Sequence, residues 1–178
     1  MDKRIFAKTG EEVSLLGFGA MRLPILEDDP ANIDYPAAQA LIDTALEQGI
    51  NYFDTAFDYH GGKSETFVGK ALSRHPRDSF FLASKMPPWR LKSERDLHTI
   101  FEKQLERLQV DYIDFYLMHN ISVAHLSIFQ QFKAYEFLRK KQEEGKLRHL
   151  GFSFHDRPGL LREMVEEHPW DFAQIQLN

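Results

Sequence analysis

Short apolar runs alternate along the chain with longer segments in which apolar residues recur every three or four positions. The runs that predict strands lie at 15–19, 50–54, 80–84, 112–119, 150–154 and 172–177. The segments that predict helices lie between them, at 36–48, 64–74, 93–108, 127–144 and 158–168. Apolar runs without strict alternation are typical of strands buried on both faces, which form parallel sheets with helical crossovers. The pattern therefore predicts an α/β protein in a single domain that spans 1–178.

Two parallel architectures compete at this point, a doubly wound open sheet and a (β/α) barrel. The open sheet usually carries a glycine-rich phosphate loop after its first strand, but here the stretch 17–22 does not continue to a third glycine. A barrel needs about 250 residues and eight strand–helix units. We therefore expect an incomplete TIM barrel with about six of the eight strands, the amino-terminal part of a longer one. Residues 3–14 predict a short hairpin ahead of it.

Unpaired barrel edges favour association with other strands, so we also expect self-association through them.

The net charge and the composition argue against several other classes of partner and site. The net charge is −5, which argues against nucleic acid or an anionic membrane as the main partner. No apolar run approaches the ~18 residues of a membrane span, and the first residues do not lead into a signal-peptide core, so a cytoplasmic location is expected. The absence of cysteine excludes disulfides, thiolate metal sites and cysteine nucleophiles.

Polar side chains stand where several predicted strands end. Asp54, Lys85, His119 and Ser153 each occupy such a position, and Tyr59 lies in the loop just beyond Asp54. In a parallel barrel these strand ends meet at one face, where active sites are found. Each residue by itself is more often a turn or rim residue. The catalytic interpretation requires that these side chains lie close together in the folded protein.

Together these side chains suit carbonyl reduction. A phenol is a weak acid near neutral pH, and a neighbouring ammonium favours its ionised form. A carboxylate holds the ammonium in place, and a neutral imidazole orients the substrate oxygen. Hydride must come from a cofactor. A metal site is not expected, since no ligand motif appears among the eight histidines. We expect Asp58 to be a solvated loop carboxylate, Glu65 to serve the start of its helix and Trp89 to pack on the rim.

The chain resembles the aldo-keto reductases over essentially its whole length. The motifs that carry the resemblance are LGFGAM (16–21), NYFDTAFDY (51–59), GKSETFVGKAL (62–72), LASKMP (82–87), DYIDFYLMHN (111–120), GKLRHLGFSFHD (145–156) and FAQIQLN (172–178). The resemblance implies a (β/α)8 barrel, NADPH as hydride donor with NADH as the alternative, and a small-molecule carbonyl substrate. The catalytic tetrad of the family falls on Asp54, Tyr59, Lys85 and His119.

The resemblance also implies a set of cofactor contacts. They fall on Gly19, Ala20, Met21, Asp54, Ser153 and Gln176. Many members have Ser-Asn after the fifth strand, whereas this chain has Ser153-Phe154-His155, which puts the second carboxamide contact in doubt. The phrases YHGGKSE and PWDFAQIQLN are closer to a bacterial subgroup with a ferredoxin-like domain after the barrel. A cysteine-free chain cannot hold the clusters of that domain.

Two functions remain open. The first is NADPH-dependent carbonyl reduction, with this chain as the amino-terminal portion of the enzyme. In that case the phosphate-binding loops lie beyond 178, and we expect the chain alone to bind NADPH weakly or not at all. The second is a non-catalytic barrel fragment or regulatory subunit that acts through interaction.

Overall fold

The structure is a computed structural model that describes residues 1–176. A hairpin of β1 (Lys3–Ile5) and β2 (Glu12–Ser14) precedes a six-stranded parallel sheet. The strands of the sheet are β3 (Phe18–Gly19), β4 (Tyr52–Asp54), β5 (Phe81–Met86), β6 (Ile113–Ile121), β7 (Leu147–Phe154) and β8 (Phe172–Ile175). The helices are α1 (Tyr35–Glu47), α2 (Ser64–Leu72), α3 (Glu94–Leu108), α4 (Val123–Gln131), α5 (Ala134–Glu143) and α6 (Pro158–Glu167).

The strand order follows the chain order from β3 to β8, and every pairing is parallel. A doubly wound sheet would reverse direction at a switch point. A single direction of winding is instead how the wall of a (β/α) barrel is built. The predictions of an incomplete barrel of six strands and of an amino-terminal hairpin are both confirmed.

Two predicted elements have the wrong extent. The first strand was expected over 15–19 but covers only Phe18–Gly19, and Leu15 and Leu16 are exposed. The helix expected over 127–144 is two helices, α4 and α5, separated at Lys133. Lys133 has a φ of 52°, in the left-handed region, which a continuous right-handed helix cannot contain. The apolar periodicity of the sequence gives no sign of this break, because both helices bury residues on the same side of the sheet.

The main core lies between the outer face of the sheet and the helices. Phe53, Leu82 and Tyr116 point outward from three neighbouring strands into this layer, where Phe67 of α2 and Phe101 of α3 are also buried. In the segment predicted as a helix over 93–108, the apolar residues that recur every three or four positions, from Leu97 to Leu108, form a stripe of α3 that packs into this core.

A second, smaller cluster lies on the inner face of the curved sheet. Ala83, Phe115, Leu117 and Phe172 are buried there, and Phe6 from the hairpin packs against them. The Phe6 ring centroid lies 5.8 Å from that of Phe115. The hairpin thus covers the inner face at the end of the sheet opposite the strand carboxyl termini.

None of the helices in the part of the chain that the structure describes combines the length and the apolar character that a membrane crossing requires.

Candidate active site

The alternation of side chains along the strands selects the residues that face the barrel interior. In β4, Tyr52 and Asp54 point inward and Phe53 points outward; in β5, Lys85 follows Ala83 on the inner face. Register then aligns the ends, since Asp54 pairs with Ala83 and Lys85 with Leu117. The carboxylate and the ammonium therefore occupy adjacent strands, on the same face and at the carboxyl end of the sheet.

Lys85 is the centre of the cluster. Its Nζ donates hydrogen bonds to Asp54 Oδ1 at 2.6 Å, to the Thr55 carbonyl oxygen at 2.8 Å and to the Tyr59 hydroxyl at 3.4 Å. An ammonium has three donors, and these three acceptors use all of them. The side chain is only 2% exposed. Lys85 is therefore fixed in position, with the Tyr59 oxygen as its longest contact.

Asp54 is held in a buried setting against this ammonium. Burial raises the pKa of the Asp54 carboxyl, and the charge and hydrogen bond of Lys85 act in the opposite direction. Its second oxygen, Oδ2, is buried and has no hydrogen-bond partner among residues 1–176. An unpartnered buried carboxylate oxygen is costly, so this atom is available to a donor from a ligand.

His119 lies opposite the phenol. Its ring centroid is 6.0 Å from that of Tyr59, in an edge-to-face arrangement. Burial, with a further contribution from the Lys85 ammonium, lowers the pKa of His119 from 6.5 to about 3. The imidazole is therefore neutral at physiological pH. Its Nδ1 is buried and lacks a hydrogen-bond partner within the described residues.

A β-bulge places His119 at this point. The register between β6 and β7 shifts between Met118 and Ile121, and Asn120 adopts a left-handed φ of 56°. The Asn120 amide donates to Ser153 Oγ at 2.7 Å, which holds the bulge against the next strand. Bulges commonly re-aim a side chain beside an active site. This one turns the strand end that carries His119, and sequence periodicity gave no sign of it.

A cavity of about 220 Å³ adjoins the tetrad. The residues that line it are Met21, Asp54, Tyr59, Lys85, His119, Ser153, His155, Gln174, Ile175 and Gln176. All four predicted catalytic residues and four of the six predicted cofactor contacts are in this lining. A larger cavity of about 630 Å³ lies between α2 and α3, but none of the tetrad residues lines it.

Gly19 and Ala20 do not line this cavity but directly precede Met21, which does. Gly19 pairs with Asp54 in the sheet. Ala20 is buried; its amide donates to the Asp54 carbonyl oxygen at 2.8 Å and its own carbonyl accepts from Ser64 Oγ at 3.1 Å. These bonds fix the backbone that leads to Met21, whose side chain is half exposed at the cavity.

The expectation that Asp58 is a solvated carboxylate is wrong. Asp58 accepts hydrogen bonds from Trp89 Nε1 at 2.6 Å and from Arg90 Nη2 at 2.7 Å. Burial raises the pKa of Asp58, but the hydrogen bonds from Arg90 and Trp89 outweigh that effect and the pKa is lowered overall. Trp89 in turn packs on His119, with ring centroids 5.0 Å apart. Asp58 therefore links the loop after β4 to the loop after β5.

Glu65 was expected to serve the start of its helix, but it belongs to a buried polar network behind Lys85. Ser84 Oγ and Gln104 Nε2 each donate to Glu65 Oε1 at 2.6 Å, and Arg107 Nη1 donates to Oε2 at 3.1 Å. Gln104 Nε2 also donates to the Lys85 carbonyl oxygen at 3.0 Å. The sequence held one signal of this network: Gln104 interrupts the apolar stripe of α3.

No group of three or more potential metal ligands is present among residues 1–176. The arrangement is thus a buried ammonium between a carboxylate and a phenol, with a neutral imidazole across the cavity.

Comparison with known proteins places the chain in a family. The sequence model described as "Aldo/keto reductase family" matches residues 15–178. The chain belongs to the aldo/keto reductase family. A probable aldo-keto reductase 1 of Glycine max is 33% identical over 175 residues, which cover 94% of this chain and 49% of the relative. This chain therefore spans about half the length of that relative.

Solved structures of the family agree in fold. An aldo-keto reductase from Bacillus halodurans in its holo form has a TM-score of 0.79 and 32% identity, and the match covers 99% of this chain and 58% of that one. An aldo/keto reductase from Klebsiella pneumoniae in complex with NADP and acetate has a TM-score of 0.65 and 29% identity, covering 81% of this chain and 47% of that one. The barrel wall described above is therefore the aldo/keto reductase fold, and the chain is of an oxidoreductase family.

Proposed function

We propose that this chain carries the catalytic centre of an NADPH-dependent reductase that converts an aldehyde or ketone to an alcohol. The observation that carries the proposal is the position of Lys85 Nζ, buried between Asp54 Oδ1 and the Tyr59 hydroxyl. A buried ammonium next to a phenol is the arrangement that makes a phenol an effective proton donor. The non-catalytic alternative gives no reason for an ammonium to be buried beside Tyr59.

In this proposal Tyr59 donates its hydroxyl proton to the carbonyl oxygen of the substrate. The positive charge of Lys85 lies beside the phenol oxygen that is left negative, and the ion pair with Asp54 holds Lys85 in place. His119 is neutral, so one of its ring nitrogens carries a proton and can donate a hydrogen bond to the same oxygen. NADPH supplies the hydride that the carbonyl carbon receives.

The residues around the cavity fit a nicotinamide. Asp54 Oδ2 and His119 Nδ1 are buried polar atoms without partners in the described part of the chain, and Ser153 adds a hydroxyl. We propose that Gly19, Ala20, Met21, Asp54, Ser153 and Gln176 hold this part of the cofactor. The cavity of about 220 Å³ is smaller than the ~300 Å³ at the lower end of ordinary ligand sites. It therefore encloses a ring rather than a whole dinucleotide.

The identity of the cofactor and the extent of the enzyme stay predictions. The complex of the Klebsiella pneumoniae relative contains NADP, which supports NADPH over NADH here. That residues 1–178 are part of a longer enzyme is checked by reading the coding sequence past the codon for Asn178. A fluorescence titration of NADPH with 1–178 tests the expectation of weak binding, and dissociation constants in the micromolar range would contradict it. Self-association and a cytoplasmic location stay predictions.

Tyr59→Phe is the direct test of the proton donor. The assay follows NADPH-dependent reduction of a panel of aldehydes and ketones by the protein encoded by the whole reading frame. Loss of a general acid costs about 10²–10⁴-fold in rate, so we expect a fall in kcat of that size. Cofactor affinity should remain near that of the unchanged protein, since the ring stays in place. A variant as active as its parent would remove Tyr59 as the acid.

A further inference from the structure

His60, the residue directly after Tyr59, has a buried imidazole that the proposed reaction does not use. Its side chain is largely shielded from solvent, with 8% of the residue exposed. Its backbone is left-handed, with φ 54° and ψ 46°. Residues other than glycine adopt this conformation in only a few per cent of cases, with asparagine, aspartate and histidine the most frequent among them, so the surroundings help to hold His60 there.

Two hydrogen bonds hold the imidazole. The Leu23 backbone amide donates to His60 Nε2 at 3.0 Å, and His60 Nδ1 lies 2.7 Å from the Pro30 carbonyl oxygen. A backbone amide can only donate and a carbonyl oxygen can only accept. The ring must therefore be neutral, with its proton on Nδ1 and a lone pair on Nε2. The backbone partners specify one tautomer of His60.

These partners belong to the loop between β3 and α1, which runs over 20–34. Leu23 lies two residues after Met21, which lines the cavity beside the tetrad. The loop also packs directly on the turn that follows His60. Gly61 in that turn lies so close to the loop that a Cβ added there would be 3.0 Å from Ala31 Cβ. The imidazole of His60 therefore connects two sides of the cavity, the loop that carries Met21 and the turn that carries Tyr59.

We propose that His60 is a positioning residue that fixes the Tyr59 hydroxyl against Lys85 and His119 by fastening this turn to the loop over 20–34. The proposal rests on the proposed function of Tyr59 as proton donor. The contact from Lys85 Nζ to the Tyr59 oxygen, at 3.4 Å, is already the longest in the cluster. A small shift of the turn would open it further, and misplacement by about 1 Å costs on the order of 100-fold in rate.

Two substitutions distinguish the effect of losing the imidazole from the effect of the left-handed backbone conformation. His60→Gly removes the ring but accepts the left-handed conformation more readily than histidine does, and His60→Asn keeps tolerance of that conformation together with an amide donor and acceptor. His75→Gln is the matched control, since His75 is a histidine whose ring contacts Asp43, away from the residues that line the cavity.

The first measurement needs no activity. Nitrogen NMR of the unchanged protein should show His60 with its proton on Nδ1, and the Leu23 amide should exchange slowly with deuterium. The nuclear Overhauser contact between the rings of Tyr59 and His119 should be present. In His60→Gly both the Leu23 protection and the ring contact should be lost, with circular dichroism unchanged. A proton on Nε2, or an intact ring contact in His60→Gly, would overturn the proposal.

The second measurement is kinetic. His60→Gly should lower kcat by about 100-fold while KM stays near its original value, since the substrate site is retained but the acid is misplaced. His60→Asn should recover part of the loss, and His75→Gln should match the unchanged protein. A variant whose kcat falls only in proportion to its folded fraction would contradict a positioning role. If His60→Gly does not fold, the kinetics of His60→Asn and the tautomer of His60 in the unchanged protein test the positioning role.

The two proposals fail in different ways. A protein without Tyr59-dependent reduction refutes the proposed function, whereas the NMR arm still shows whether His60 holds Tyr59 against His119. A protein with Tyr59-dependent reduction that His60→Gly leaves unaltered refutes the positioning role alone.

Discussion

Replacing Asp54 with asparagine removes the carboxylate that lies 2.6 Å from the Lys85 ammonium. Lys85 is 2% exposed, so the ammonium would remain buried with neutral oxygens as its acceptors. Breaking a buried ion pair in this way costs about 3–5 kcal/mol. The lower end applies here, because the asparagine oxygen still accepts a hydrogen bond. We expect a loss of about 3 kcal/mol in the free energy of unfolding.

Thermal and urea unfolding of the purified chain measure this loss. For a chain of this size, about 3 kcal/mol corresponds to a fall in Tm of roughly 6–12 °C. The matched control is Glu144→Gln, which breaks the ion pair between the exposed Glu144, the residue directly after α5, and Lys141 of that helix. A pair on the surface contributes little to stability, because water and salt screen its charges. An Asp54→Asn variant that is no less stable than Glu144→Gln would refute the buried-charge reasoning.

A double variant sharpens the test. Lys85→Met combined with Asp54→Asn leaves neither charge buried. Its unfolding free energy should therefore exceed that of Asp54→Asn alone, although two contacts have been removed. Simple addition of the two single losses would show that the ion pair does not couple Asp54 to Lys85. Carbonyl reduction should stay absent in the double variant, which separates stability from activity.

Two further predictions concern acid stability and the break between α4 and α5. Because burial and the Lys85 charge hold the folded-state pKa of His119 near 3 against 6.5 in the unfolded chain, stability is present above pH 6.5 and is lost as the pH falls towards 3. His119→Gln should reduce the change in unfolding free energy between pH 6.5 and pH 3, as measured by urea unfolding. A pH dependence equal to that of the unchanged protein would contradict the lowered pKa of His119. Lys133→Gly should raise the unfolding free energy by roughly 1 kcal/mol, since glycine adopts the left-handed φ of 52° without strain. A lower Tm for that variant would show that the Lys133 side chain itself stabilises the junction.

The order of elements was predictable because strand and helix periodicities are local. A strand buried on both faces must be continuously apolar, and a crossover helix must carry an apolar stripe. The pattern also locates the strand ends, which makes Asp54, Lys85 and His119 candidates for the site. Alternation with a period of two then puts Asp54 and Lys85 on one face without further information.

The errors have a common physical origin. Lys133 separates two helices although the apolar spacing on either side of it continues. A residue in the left-handed conformation turns the backbone without altering the pattern of apolar positions in the sequence. The sequence pattern around Asp58 indicates a solvated residue because its partners, Trp89 and Arg90, are more than thirty positions away. Glu65 has its partners on β5 and α3, and only the interruption of a stripe by Gln104 pointed to them.

The class of fold and the candidate residues of the site follow from side-chain type and local periodicity, which are properties of the chain alone. How the site is held depends on the folded chain: on which buried atoms of Asp54 and His119 lack hydrogen-bond partners among residues 1–176, and on which loop the His60 imidazole contacts. Hydrogen bonds between residues distant in sequence depend on the packing of whole elements, and no local pattern records them. The same packing sets the protonation of His119, because burial and the nearby ammonium exist only in the folded chain.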